Sequence, residues 1–207
     1  IIPKNVSIIP NRVNKKCLLL EKKTKKRVNI EKLKIGFVGL IRYESIINFA
    51  ECFAEEFPQH EFHFFGSPID NKVELKSLKK LSNIIFHGDF KNPNDLPGIY
   101  QSIDLVLSTY DINIENTRYA EPNKIYEAIF FQTPIIVSKG TFLSEKVEKL
   151  GIGYSIDAMN NDEIVEFVNN LTEEDINSKM EKCKTLTTSF SVDNNKAFFK
   201  KISLKIP

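Results

Sequence analysis

Short apolar runs that alternate with helical segments constrain the fold of this chain more than any other feature of its sequence. The runs at residues 35–38 and 135–137 are apolar throughout and lack the polar alternation of a half-exposed strand. Between such runs lie segments with helical spacing of apolar residues, of which residues 45–57, ended by Pro58, are the clearest. Doubly buried strands separated by helices are typical of parallel sheets. The pattern therefore predicts an α/β fold with a doubly wound parallel sheet and right-handed crossovers.

The chain divides into three parts. Residues 1–32 are expected to be a linker or inter-domain segment, residues 33–190 a Rossmann-like domain, and residues 191–207 a C-terminal helical tail. Residues 15–34 are strongly basic, which predicts a solvated linker or, alternatively, a patch that faces a membrane surface or phosphate groups. The sequence does not start with Met, and its first residues resemble the interior of a chain. We therefore expect it to be a portion of a longer protein.

Several smaller elements are expected as well. Residues 6–9 are predicted to be a short strand, and residues 72–81 and 192–204 are predicted to be helices. Residues 109–121 form a polar stretch, which predicts a loop. Such a loop is more often a connector than a catalyst, but this one borders the expected site.

Composition excludes several functional classes. The formal net charge of +2 is too close to neutral for wholesale nucleic-acid binding. No stretch reaches the roughly 18 apolar residues that a bilayer-spanning helix needs. The cysteines and histidines lack disulfide or metal-ligand spacing, so we expect no metal site and a reducing, cytoplasmic compartment. These residues are Cys17, Cys52, Cys183, His60, His63 and His87.

The turns after the predicted strands should contain the ligand site, because doubly wound sheets bind ligands beyond the carboxyl ends of their strands. The first turn runs from Gly39 to Arg42. Arg42 is suited to clamping a diphosphate; the alternative is a surface arginine paired with Glu44 or Asp111. The turn matches neither the GxGxxG loop nor the Walker GxxxxGKS/T loop, which argues against an NAD-dependent enzyme and against an NTPase.

Residues 121–138 combine a helix start, two charged side chains and a buried strand. The helix is expected to begin at Pro122, with Lys124 in its first turn and Glu127 in its second. A helix N-terminus and a lysine suit a phosphate, whereas a carboxylate one turn deeper can accept hydrogen bonds from vicinal hydroxyls of a ribose or hexose. The alternatives are a solvated Lys124 paired with Glu121 or Glu127, and a Glu127 with a backbone or lysine partner.

At this point the sequence resembles a known group. The stretch PNKIYEAIFFQTPIIVS resembles the nucleotide-sugar-binding signature of GT-B glycosyltransferases of the retaining, family-four-like group, also described as glycosyl transferases group 1. The resemblance continues, in the expected order, through VSIIPNRV, KIGFVGLIRY, NIIFHGDF, IYQSIDLVLST and GTFLSEKVEKLGIGYSID. It covers nearly the whole chain and identifies it as the C-terminal, donor-binding half of a GT-B fold.

The resemblance implies an enzymatic role within a longer protein. A hexosyl-type sugar would pass from a UDP- or GDP-sugar to an acceptor held by a missing N-terminal domain, without a cofactor or metal ion, and the isolated chain would be inactive. It also implies synthesis of bacterial surface polysaccharide in the cytoplasm, with the full-length protein at the inner face of the cell membrane. The alternative is a non-catalytic doubly wound module for interaction or regulation.

The resemblance also implies roles for individual residues. Glu127 would bind the ribose, Arg42 and Lys124 would neutralise the leaving diphosphate, and Glu121 is the candidate catalytic residue. Glu121 and Glu127 are separated by five residues, where the family has seven. The positions implied for donor binding are Gly39, Arg42, Gly66, His87, Gly88, Phe90, Lys124 and Glu127.

Overall fold

Six parallel strands form the sheet at the centre of the domain. In the computed structural model they are β1 (Lys34–Val38), β2 (Glu61–Phe65), β3 (Ile84–Gly88), β4 (Leu105–Ser108), β5 (Ile135–Ser138) and β6 (Gly153–Ile156). Their order is β3-β2-β1-β4-β5-β6, which confirms the predicted doubly wound sheet. The chain reverses its direction of winding between β1 and β4, so the carboxyl ends of these two strands flank the switch point. The structure describes residues 12–13, 15–20, 28–70, 75–186 and 192.

Seven α-helices accompany the sheet within the described residues. They are α1 (Glu44–Glu56), α2 (Leu96–Ser102), α3 (Glu115–Arg118), α4 (Asn123–Phe131), α5 (Phe142–Leu150), α6 (Asn161–Asn169) and α7 (Glu173–Thr185). Helices α1 and α6 cover one face of the sheet, and α2, α4 and α5 cover the other. Helix α7 begins against the first face with Ile176 and ends against the second with Cys183.

The two faces of the sheet have separate apolar cores because successive strand residues point in opposite directions. Phe37 packs in the core under α1 and α6, whereas its neighbour Val38 packs in the core under α2, α4 and α5. Val13 and Val192 join the second core and pair in a parallel β-bridge. Parts of the predicted linker and tail therefore pack against the domain and against each other.

Two predicted elements differ in the structure. Of the helix predicted at 72–81, the structure describes residues 75–81, and these form no α-helix but contain a 3₁₀ turn, Leu78–Lys80. Leu75 and Leu78 are buried and Leu81 is half-buried, a spacing of three that matches the three residues per turn of a 3₁₀ helix and also falls on one face of an α-helix. The predicted loop at 109–121 contains the one-turn helix α3. Residues 6–9 and 193–204 lie outside the described residues.

The one-turn helix α3 forms because a side chain closes the loop around it. The hydroxyl of Thr117 is buried and lies within hydrogen-bond distance of the backbone carbonyl oxygens of Asp111 (2.7 Å) and Ile114 (2.6 Å), between which its one proton is shared. The spacing of apolar residues along a sequence does not indicate such local hydrogen bonds between a hydroxyl and the backbone. The segment therefore reads as a loop although it contains a helical turn.

Candidate functional site

The turns after β1, β2 and β3 lie side by side at the carboxyl edge of the sheet. The amide of Gly39 donates to the carbonyl of Phe65 at 2.8 Å, and the amide of Gly66 donates to the carbonyl of Gly88 at 2.7 Å. Gly39 and Gly66 have φ angles of +136° and +129°, which side-chain-bearing residues rarely adopt. The structure thus brings together three of the predicted site glycines.

Lys124 reaches from the start of α4 to the turn after β1. Its Nζ lies 3.3 Å from where a Cβ of Gly39 would stand and 5.1 Å from the centre of the Phe37 ring. Burial lowers the pKa of Lys124, and the charge of Arg42 adds to that effect while the charge of Glu127 opposes it. Helix α4 begins one residue later than predicted: Asn123 is its first residue, and Pro122 is its N-cap.

Glu127 is a nearly buried carboxylate, with 7% of its surface exposed. Its Oε2 accepts a hydrogen bond of 2.6 Å from the hydroxyl of Tyr100, which is completely buried. Burial, followed by the charge of Glu127, raises the pKa of Tyr100 and of the Cys17 thiol. The partner of Glu127 is therefore a tyrosine of α2, which the sequence did not indicate, and Lys124 supplies positive charge one turn away.

Arg42 lies on an aromatic surface next to the turn. Its guanidinium stands 4.7 Å from the centre of the Tyr43 ring, and Tyr43 meets Tyr110 edge to face at 5.0 Å. Among the described residues Arg42 makes no ion pair with Glu44 or Asp111, the predicted alternative. The carboxylate of Asp111 instead accepts the first amides of α1, from Glu44 at 3.1 Å and from Ser45 at 2.9 Å.

Glu121, the candidate catalytic residue, belongs to a cluster that includes Tyr126 and Lys146. Its Oε1 lies 2.9 Å from Nζ of Lys146 and accepts a hydrogen bond from the hydroxyl of Tyr126. Lys146 also donates to that hydroxyl at 3.0 Å. Burial and the hydrogen bond to Glu121 raise the pKa of Tyr126. The cluster ties the start of α4 to α5, so Glu121 has a structural partner that its sequence spacing did not reveal.

Replacing Lys146 with methionine tests what this cluster does. We expect the free energy of unfolding to fall by roughly 1–3 kcal/mol, because the Glu121 carboxylate would lose its ion pair with Lys146, in which both side chains are mostly buried. Urea denaturation would measure the loss. Lys149→Met, at an exposed position of the same helix, is the matched control. Equal midpoints for the two variants would show that the cluster does not hold α4 and α5 together.

The remaining predicted residues are His87, in the last part of β3, and Phe90, just after that strand. His87 is exposed and stacks on Phe65 with ring centres 4.2 Å apart, and its Nε2 lies 3.0 Å from Nδ1 of His63. Phe90 is half-buried against the core under α2. Spacing along the chain showed no relation between the two histidines, since adjacent strands bring them together. Within the described residues, no three His, Cys, Asp or Glu side chains are grouped to hold a metal ion.

A cleft of about 450 Å³ opens at the same edge, beyond β4, β5 and β6. Tyr110 and Asp111 line it, together with the turns at 138–140 and 157–159 and the start of α1. Lys124 and Glu127 do not line this cleft. The carboxyl edge therefore carries two neighbouring features, the charged residues around Lys124 and an open cleft beside the Asp111 cap.

The strand order and this site define a class of protein: the donor-binding half of a GT-B glycosyltransferase. The chain belongs to the family described as the glucosyltransferase 3-like C-terminal domain, whose family model matches residues 41–206. It is therefore a glycosyltransferase domain, and the alternative of a non-catalytic interaction module is not favoured. A comparison with curated protein sequences found no match.

Solved structures share the fold at low sequence identity. HepE from Anabaena, in complex with UDP and glucose, aligns with a TM-score of 0.65 and 16% identity over 84% of this chain and 48% of HepE. The C-terminal domain of LpcC, a glycosyl transferase group 1 family protein from Francisella tularensis, aligns with a TM-score of 0.62 and 18% identity, over 80% of this chain and 93% of that domain.

A third structure, a TarM mutant from S. aureus in a complex that includes UDP, aligns with a TM-score of 0.61 and 18% identity, over 92% of this chain and 38% of TarM. The chain thus spans about half the length of HepE and less than half of TarM. No helix in the described ranges is long and apolar enough to cross a membrane.

Proposed function

We propose that this domain binds the nucleoside diphosphate of a UDP- or GDP-sugar donor and stabilises it as the leaving group of glycosyl transfer. The observation that carries the proposal is the placement of Lys124 and Glu127, one helical turn apart, at the start of α4 against the turn after β1. One position supplies a cation for phosphate and the other an acceptor for hydroxyls. Both lie at the edge of the sheet where doubly wound folds bind nucleotides.

Lys124 is the centre of the proposed diphosphate site. Its ammonium is desolvated in the free protein, so an incoming phosphate would restore a partner to a charge that burial has destabilised. Arg42 is close enough to influence the pKa of Lys124, and its guanidinium is suited to binding a second phosphate oxygen. Two cationic side chains can neutralise the charge that develops on the departing diphosphate, and we propose that no metal ion takes part.

Glu127 is proposed to bind the ribose. Tyr100 orients the carboxylate by donating to Oε2, and an ionised carboxylate has about four acceptor sites in total. Vicinal ribose hydroxyls would therefore find acceptors held in a fixed geometry. The glycines after β1, β2 and β3 allow the backbone to approach the nucleotide closely, with the base near Gly66, Gly88 and Phe90.

The acceptor site and the full reaction are proposed to need the rest of a longer protein. HepE and TarM are about twice the length of the part that matches this chain or longer, which supports an additional N-terminal domain that binds the acceptor. WaaG, another similar structure, is described as a glycosyltransferase involved in lipopolysaccharide biosynthesis. We propose a related role in bacterial surface polysaccharide synthesis, in the cytoplasm at the inner face of the membrane.

Nucleotide binding without metal is the direct test of this proposal. In buffer with EDTA, a concentration of UDP or GDP one hundred times its Kd should stabilise the domain by about 2.7 kcal/mol. For a domain of this size, that gain should raise Tm by roughly 5 °C or more. Differential scanning calorimetry would measure the shift. No binding of either nucleoside diphosphate at millimolar concentration would refute the proposal.

The ribose contact can be tested separately with 2′-deoxy-UDP. Isothermal titration calorimetry should show that UDP binds about tenfold more tightly than 2′-deoxy-UDP, because one hydrogen bond to a charged acceptor is lost. In Glu127→Ala the two ligands should bind with equal, weaker affinity. Glu148→Ala, an exposed carboxylate on α5, is the matched control and should keep the difference. If Glu127→Ala keeps it as well, the ribose lies elsewhere.

A further inference from the structure

A chain of polar side chains runs across β1, β2 and β3 towards the proposed base site. Nζ of Lys34 lies 2.7 Å from Oε2 of Glu61, and the same oxygen lies 3.0 Å from Nε2 of His63. Nδ1 of His63 lies 3.0 Å from Nε2 of His87. We call these four residues the histidine chain. His63 is 7% exposed, whereas His87 is open to solvent and stacks on Phe65.

The histidine chain determines which ring nitrogens carry protons. The hydrogen bond from Lys34 lowers the pKa of Glu61, so this carboxylate is ionised and can only accept. Burial lowers the pKa of His63 and of His87, so both rings are neutral at pH 7.5 and each carries one proton. His63 must therefore donate from Nε2 to Glu61 and accept at Nδ1. His87 must then donate from Nε2, and its Nδ1 remains an acceptor.

The direction of that acceptor follows from the fold. The two nitrogens of an imidazole ring point away from one another, and Nε2 of His87 points back to His63. His63 precedes Phe65 by two residues on β2, so it lies farther from the carboxyl edge than the ring on which His87 stacks. Nδ1 of His87 consequently points towards the carboxyl edge, where Gly66 and Gly88 meet.

We propose that Nδ1 of His87 selects the donor nucleotide by accepting a hydrogen bond from a ring N–H of its base, with Lys34, Glu61 and His63 as positioning residues. The inference rests on the proposed function. Uracil offers N3–H and guanine offers N1–H on this edge of the base. Cytosine N3 and adenine N1 carry lone pairs instead, which would face the lone pair of His87. The site therefore accepts UDP and GDP and rejects CDP and ADP through an unpaired, repulsive contact.

The first test compares UDP with CDP, which differ on this edge of the base. In calorimetric titrations of the 207-residue chain at pH 7.5, UDP should bind at least about tenfold more tightly than CDP. In Glu61→Leu the ratio should fall towards one, because His63 loses the acceptor at Nε2 that fixes its tautomer and, through it, the tautomer of His87. Glu56→Leu, an exposed position at the end of α1, should keep the ratio of the unmodified protein.

The second measurement reads the tautomers without any nucleotide. Two-bond ¹H–¹⁵N correlation spectra of the free protein at pH 7.5 should show His63 and His87 protonated on Nε2, whereas in Glu61→Leu His87 should show a mixture of Nε2 and Nδ1 protonation. A merely structural role for Glu61 would not move that signal. A ratio of UDP to CDP affinity that is unchanged in Glu61→Leu, or an Nδ1-protonated His87 in the unmodified protein, would overturn the inference while UDP binding left the proposed function intact. Failure of all nucleoside diphosphates to bind would overturn both.

Discussion

Replacing Gly66 with alanine should remove about 3 kcal/mol or more from the free energy of unfolding, because two penalties coincide at this position. A Cβ on Gly66 would overlap the carbonyl oxygen of Gly39 and lie 2.8 Å from its carbonyl carbon. The φ angle of +129° is also one that alanine rarely adopts. The obstacle is backbone, so no side chain can rotate away to relieve it. Urea denaturation followed by circular dichroism would measure the loss.

Gly98→Ala is a matched control for this substitution. A Cβ there would meet no atom within 4 Å, and the residue lies inside α2. Alanine should therefore raise the free energy of unfolding by roughly 0.5–1 kcal/mol, through the lower conformational entropy of the unfolded chain. Opposite shifts of the two midpoints are expected. If Gly66→Ala unfolds at the same urea concentration as the unmodified protein, the close contact between the turns after β1 and β2 does not constrain the domain.

The sheet could be predicted because its signal is local. Each strand contains a short apolar stretch, and both cores need that pattern regardless of which helix covers them. The helix predicted at 72–81 is wrong over its described part, 75–81, because leucines at 75, 78 and 81 have a spacing of three that fits a 3₁₀ turn and one face of an α-helix alike. The helical turn inside 109–121 was missed because Thr117 stabilises it through hydroxyl–backbone bonds rather than apolar contacts.

The candidate site was predictable in part for the same reason. Lys124 and the turn glycines lie at the ends of predicted elements, so the fold class alone brings them to one edge. Their partners are a different matter. Tyr100 reaches Glu127 from another helix, and Lys146 reaches Glu121 from the helix after the next strand. Both pairings depend on how helices pack on the sheet, and nothing in local spacing indicates them.

Replacing Lys124 with methionine should weaken UDP binding by about a hundredfold or more, equivalent to roughly 2.7 kcal/mol, because a desolvated charge and its hydrogen bonds to phosphate are lost together. Methionine keeps most of the aliphatic length, so the contact with the Phe37 ring can persist. Isothermal titration calorimetry at fixed ionic strength would measure the change. Lys184→Met removes an exposed lysine from α7 and should bind UDP as the unmodified protein does.

The pH dependence gives Lys124 a second, independent signature. Its pKa is lowered below the ordinary value of 10.5, so in the window below pH 10.5 the unfolded chain holds a proton that the folded chain has released. The contribution of Lys124 to the free energy of unfolding is therefore smallest at low pH, where the folded and unfolded states are both protonated, and it rises with pH across the window.

UDP affinity should fall across the same window, because the deprotonated amine of Lys124 no longer attracts phosphate. Lys124→Met should lack both changes, whereas Lys184→Met should retain them. Parallel pH profiles for Lys124→Met and the unmodified protein would assign the phosphate charge to another residue.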